Sequence, residues 1–345
     1  MTRQTWVAAV SALIFLVCVA IVSFVPVPFV AWSPGSTYDL LSVQGGRPLI
    51  DVAGVGVHPT TGQLRLTTVG VTPVDARVNL VEALAAYWMS SRDALPREAV
   101  YPPQLDAQTV RNQESAQMDS SQSGAVVAAL RQAGMPVSEL PMVVSVVASG
   151  PSANYLQAGD LVTKIDDTDV QTVDAVRLAI VRRHVGDQVV VTFLRDGQES
   201  HATMTTAATS AQPDVPSIGV TLGMGYTYEP RVSFNVDPAI GGPSGGLMFS
   251  LAIYDKLSGD DLAAGRIIAG TGTIDAQGTV GAIGGVQEKI AAAAQDHATI
   301  FLLPAANCPD VIRPTDIQLV PVTTLDEAVR ALQTPGAPSS VAGCR

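Results

Sequence analysis

Six residues in the second half of the chain, Gly241-Gly242-Pro243-Ser244-Gly245-Gly246, separate the apolar run Arg231 to Val236 from an apolar stretch reaching about Leu257. Glycines let the backbone turn tightly and let a second chain approach. Proline suits the first helical position, where its missing N–H would be unpaired in any case. A serine at a helix N-terminus sits beside backbone N–H groups aimed outward, which suits an oxyanion. The chemistry this allows is attack of the Ser244 hydroxyl on a carbonyl, with N–H groups around Gly242 and Ser244 holding the oxyanion. The same residues also describe an ordinary helix cap, because serine is a preferred N-cap. The nucleophile reading therefore needs a base.

Histidine is a poor source. His184 and His201 lie in a separate β-rich region, His58 lies far upstream, and His297 ends a helix. Lysine is the other base known to serve a catalytic serine, and the chain has three. Lys164 is expected on an exposed strand face. Lys256 is twelve residues along the serine's own helix, about 18 Å away at 1.5 Å per residue. Lys289 remains, just inside the start of the helix expected over Val286 to Gln295. The positive end of that helix would disfavour its ammonium form; the alternative is a surface lysine on an amphipathic helix.

Four segments in order carry a family pattern: Gly242-Pro243-Ser244-Gly245-Gly246, Thr271-Gly272-Thr273-Ile274, Gly278-x-Val280, and Ile283-Gly284-Gly285-Val286-Gln287-Glu288-Lys289. Together with the 45-residue spacing from Ser244 to Lys289, they resemble the proteolytic domain of Lon-type peptidases over about residues 215–335. That resemblance implies Ser244 as nucleophile, Lys289 as general base and Thr271 as a hydrogen-bond partner of the lysine, with Gly242 supporting. Two positions depart from it. Gly241 stands where many members have an acid, and Gly245 replaces a common alanine. A phosphate-binding loop ends Gly-Lys-Ser/Thr, and the residues before the three lysines are Thr163, Asp255 and Glu288, so no such loop is present.

Several elements must carry these residues. Strands are expected over Ile50–Val57 and Leu64–Val71, a helix near Asn79–Met89, a polar connector from Pro96 to Gln122, and a helix from about Ser123 to Gln132. Residues 142–208 read as strand, Gly-Pro turn, Gly159-Asp160, strand, helix and a hairpin around Asp196-Gly197, a strong turn signal. That order resembles a PDZ domain, with Asp167 where a turn glycine is usual, and implies uptake of an extended peptide by strand addition. After Lys289, strands are expected over Thr299–Leu303 and Ile317–Val322. Thr324-Leu325-Asp326-Glu327 reads as a capping box for a last helix.

The chain has 345 residues, 47% of them apolar, too many of either for one ordinary core or for disorder. A net charge of −11, with no run of three basic residues, argues against nucleic acid as a partner. From Gln4 to Tyr38 there is no charged side chain. Trp6 to Val25 is long enough to span a bilayer, and Arg3 before it places the start inside and the rest outside. A cleaved signal peptide is the alternative. Cys308 and Cys344 would then lie outside the cytoplasm, where either a disulfide or two free thiols is allowed.

The expected architecture is α+β and multidomain. It comprises a cytoplasmic stub (1–5), a transmembrane helix (6–25), an exported segment and connector (33–122), a PDZ-like domain (123–210), a Lon-type α/β proteolytic domain (215–335) and a tail (336–345). This arrangement resembles the YlbL-like family of bacterial envelope proteins. The expected function is an ATP-independent, membrane-anchored serine endopeptidase using a Ser-Lys dyad, with no cofactor or metal. It would sit in the bacterial cell membrane, its catalytic domain outside the cytoplasm, and cleave flexible or partly unfolded proteins held through the PDZ-like domain. A homo-oligomer is compatible with this reading. The alternative is an inactive Lon-like scaffold that binds peptides.

Overall fold

The structure, a computed structural model, describes residues 3–89, 91–102, 106–208, 213–237, 242–334 and 344. Gly241 and most of the tail lie outside the described residues. The chain forms two compact units, one from residues 1–135 and 230–345 and a second, inserted, from 136–229.

The first unit opens with α1 (Arg3–Phe24), a continuous apolar helix none of whose residues is buried in protein. Its length and apolar composition suit a membrane span and a signal sequence alike. Strands β1 (Phe29–Asp39), β2 (Ile50–Ala53) and β3 (Gln63–Val71) follow, then α2 (Leu80–Trp88) and β4 (Asp93–Pro96). Asn79 and Glu82 close α2 with a reciprocal capping box.

Helix α3 runs from Ala107 to Gln132. It thus begins well before Ser123 and takes in much of the polar stretch expected as a connector. Asp106 caps it by accepting the Thr109 N–H at 2.7 Å. Its first half is polar because most of that half is exposed, whereas Met118, Ser121 and the run Ala125–Leu130 are buried. The 3.6-residue apolar period is absent from the exposed half, which is why the sequence reads as a linker there.

The inserted unit contains β5 (Ser138–Val146), β6 (Leu161–Ile165), α4 (Val173–Val181), β7 (Gln188–Arg195), β8 (Gln198–Thr205) and β9 (Val220–Thr227). The sheet order is β8-β7-β6-β5-β9, around a core including Val143, Val162, Val176, Val191 and Phe193. Asp196 and Gly197 both have positive φ, as a two-residue hairpin turn demands. At the turn after β6 the left-handed residue is Asp166 rather than Asp167. Its carboxylate accepts the Val190 N–H at 2.9 Å and pairs with Arg183, which holds a conformation that aspartate tolerates.

The chain then returns to the first unit with β10 (Arg231–Phe234), α5 (Gly246–Ser258), β11 (Ile267–Gly270), α6 (Val286–Gln295), β12 (Ile300–Pro304), β13 (Gln318–Val322) and α7 (Leu325–Gln333). The sheet order is β13-β12-β11-β3-β1-β4. Its β11, β12 and β13 are parallel, β3 joins β11 in parallel, and β1 turns antiparallel. β1 and β3, from residues 29–71, therefore lie in the same sheet as β11, β12 and β13, from residues 267–322. β10 pairs with β2, tying the two stretches a second time.

Helix α5 is buried on every side from Gly246 to Asp255, and α3 packs along it. At α7 the Thr324 side chain accepts the Glu327 N–H, while the Glu327 carboxylate accepts the N–H and hydroxyl of Thr323, one residue further out than the expected box. Cys308 and Cys344 are joined in a disulfide.

Candidate active site

Ser244 sits in a single 3-10 turn, Pro243–Gly245, that feeds directly into α5. Gly242 precedes it at φ 85°, a left-handed conformation that a side chain would strain. The turn is stitched to the strand end beside it. The Ser244 carbonyl accepts the Gly272 N–H at 2.8 Å and the Thr271 hydroxyl at 3.1 Å, and Gly272 in turn accepts the Leu247 N–H at 3.0 Å. On the other side the Ser121 hydroxyl of α3 donates to the Pro243 carbonyl at 2.8 Å.

The glycines after the serine have packing reasons. A Cβ on Gly246 would lie 2.8 Å from Ser121 Oγ and 2.9 Å from Ile274. A Cβ on Gly245 would meet the Phe249 ring at 2.9 Å and Leu66 at 3.0 Å. The Phe249 ring takes up the space that the methyl of the more common alanine would need.

Lys289 lies in the first turn of α6, whose N-cap is Gly285. The approach to that helix is held by Asn307. Its amide accepts the Ile283 N–H and donates to the Ile283 carbonyl, both at 2.9 Å. Lys289 is only 3% exposed, so it is not a surface lysine. Its Nζ donates to Thr271 Oγ1 at 3.1 Å. Burial pulls its pKa down to about 7, against an opposing pull from the neighbouring Glu288 charge. Glu288 is itself buried, and burial, followed by the nearby Asp93 charge, pushes its carboxyl up to about 7. Asp93 in turn pairs with Arg313 at 3.1 Å.

A cleft of about 620 Å³ runs over this arrangement, and Gly242, Ser244 and Lys289 all line it. Thr271 stands behind them, fully buried, and touches the residues rather than the space. None of the four histidines lines the cleft. Lys164 belongs to the inserted unit, where it faces Asp169 at 3.8 Å with 45% of its side chain exposed. Lys256 is at the far end of α5, where its carbonyl accepts the His58 N–H.

Three contributors carried no signal in the sequence. Trp32 and Thr67 line the cleft from β1 and β3, and Ser121 comes from a segment that reads as a linker. Asp237, four residues before Gly241, also lines it. An acid is therefore present at the cleft although position 241 has none.

Residues 238–333 match the Lon protease (S16) C-terminal proteolytic domain, and residues 110–206 match the PDZ domain. An archaeal Lon protease from Methanocaldococcus jannaschii is 42% identical over 90 residues, which make up 26% of this chain and 14% of that protein. A serine protease Do-like HtrA from Lactococcus lactis subsp. lactis is 27% identical over 168 residues, 46% of this chain and 37% of that one. The chain thus covers well under two thirds of either relative. Among solved structures, the PDZ domain of an SdrC-like protein from Listeria monocytogenes shares 30% identity over 24% of this chain and 85% of that one, with a TM-score of 0.22.

Proposed function

We propose that this chain, which carries a PDZ domain and the C-terminal proteolytic domain of Lon-type peptidases, is a membrane-anchored serine endopeptidase that works through Ser244 and Lys289 without ATP. The observation that carries this reading is a buried, near-neutral lysine that lines one cleft with a serine at a helix start. Thr271 adds direction. Its hydroxyl proton goes to the Ser244 carbonyl, so its oxygen can only accept from Lys289. A neutral Lys289 amine that donates one N–H there keeps its lone pair for the serine proton.

In this mechanism Ser244 Oγ attacks a peptide carbonyl while Lys289 Nζ takes its proton. Backbone N–H groups around Gly242 and Ser244 hold the oxyanion, and Lys289 returns the proton to the leaving amine. Water, activated by the same amine, then releases the acyl group and regenerates the serine. No cofactor or metal enters these steps. The PDZ unit would take up extended segments by strand addition. With no Gly-Lys-Ser/Thr loop in the 345 residues to power unfolding, flexible or partly unfolded proteins are the substrates.

Placement outside the cytoplasm is supported by α1, by Arg3 ahead of its apolar run and by the Cys308–Cys344 disulfide, since such bonds persist in oxidising compartments.

The test is modification of the purified chain by a serine-reactive peptidyl probe. An adduct should map to Ser244, vanish in Ser244→Ala and be strongly reduced in Lys289→Met. Peptide cleavage that persists in purified Ser244→Ala would overturn the reading.

A further inference from the structure

Helix α2 is built inside out for a soluble surface helix. The residues it turns inward are the small ones, Ala83 and Ala86. Its large apolar side chains point out: Leu80 is 37% exposed, Val81 50%, Leu84 37%, Tyr87 71% and Trp88 75%. Their spacing, i, i+1, i+4, i+7 and i+8, puts all five on one stripe. No charge interrupts it, because Glu82, the helix's acid, lies off the stripe and is committed to the cap. A contiguous exposed apolar stripe of this kind marks an interaction surface.

The position of α2 says what covers the stripe. Pro26, two residues beyond the end of α1, bridges to the α2 cap residue Asn79, and the Val27 N–H donates to the Val78 carbonyl at 2.9 Å. α1 and α2 are in contact, and α2 packs on β1 and β4. The stripe therefore starts where the membrane-length helix ends. Tyrosine and tryptophan are the residues that favour the boundary between headgroups and acyl chains, and a helix with one apolar face lies flat in that boundary.

We propose that α2 docks on the bilayer surface beside α1, with Leu80, Val81, Leu84, Tyr87 and Trp88 in the interfacial layer. The proposal rests on the reading of α1 as a membrane anchor. A single helix would leave the catalytic unit free to swivel; a second attachment through α2 fixes one side of that unit toward the lipid and favours substrates held near the membrane.

The experiment uses the full chain reconstituted in phosphatidylcholine vesicles whose acyl chains carry bromine, a quencher of tryptophan fluorescence. Trp6, Trp32 and Trp88 are the three tryptophans, and Trp6→Phe and Trp88→Phe separate the contributions of α1 and α2. The Trp88 contribution should fall by roughly half with bromines placed near the headgroups, and less with bromines at mid-bilayer. A Val81→Glu/Leu84→Glu variant should lose this quenching while cleaving peptide in detergent as the unaltered chain does. Quenched Trp6 with unquenched Trp88 would overturn the surface role and leave the anchor standing. If neither is quenched, the anchor reading falls and takes the proposal with it. Unquenched Trp88 together with cross-linking of two copies through α2 would make a second copy the occupant, and also overturns the proposal.

Discussion

Lys289 Nζ donates to Thr271 Oγ1 at 3.1 Å, and the Thr271 hydroxyl donates its own hydrogen bond to the carbonyl of Ser244 at the same distance. The lysine is therefore tied to the serine turn through a buried hydroxyl whose hydrogen-bond direction is set at both ends. Thr271 also faces no solvent that could compete for either bond.

Replacing Thr271 with valine keeps the shape and removes both bonds. We expect kcat to fall by about 10- to 100-fold with KM little changed, because a misplaced base costs the chemical step rather than binding. Thr271→Ser should recover most of the loss. Steady-state cleavage of an unstructured peptide measures both.

Lys289→Arg should abolish turnover, since a guanidinium stays protonated at any working pH. In the unaltered chain, activity should rise with pH through about 7, the value to which burial brings Lys289. An alkaline limb starting near the ordinary lysine range of about 10.4 would count against a buried base. Lys256→Arg, at the far end of α5, should leave the profile unchanged.

The neighbouring buried pair makes a prediction about stability. Lys289 is lowered from 10.5 to about 7, so between those values the unfolded chain holds the extra proton and stability rises with pH. Glu288 is raised from 4.5 to about 7, so between those values the folded chain holds the extra proton and stability falls as pH rises. The two contributions meet in a minimum near pH 7. Lys289→Met should flatten the alkaline side and Glu288→Gln the acid side, as followed by denaturant unfolding across the range.

Ser121→Ala removes the donor on the Pro243 carbonyl from a buried site. A loss of about 0.5–1.5 kcal/mol is expected, measurable by denaturant melts, since the Pro243 carbonyl still accepts the Gly246 N–H. A lower kcat at unchanged KM should accompany it, because the strand-side bonds then hold the serine turn without their partner on α3.

Much of the site was legible in the residues themselves. Elimination left Lys289 as the candidate base, because the chain has three lysines and only one at a suitable helix start, and the resemblance to Lon-type peptidases implied its pairing with Ser244. The hairpin at Asp196-Gly197 was likewise carried by local turn chemistry, and the strands expected over Thr299–Leu303 and Ile317–Val322 are β12 and β13, whereas β11 was not foreseen. The linker reading of 96–122 failed because α3 shows its apolar face only in its second half, and an exposed helical turn looks polar whichever way it is folded.

What residue order could not decide is how segments far apart in the chain meet. Thr67 and Trp32 reach the cleft because β1 and β3 share a sheet with β11, and Ser121 reaches the serine turn because α3 lies along α5, contacts made by long-range pairing that leaves no local pattern. The near-neutral Lys289 is the clearest case. The sequence supplies a lysine near a helix start, but only the packing that removes it from water lowers its pKa, since desolvation depends on everything around the amine and not on its neighbours in the chain.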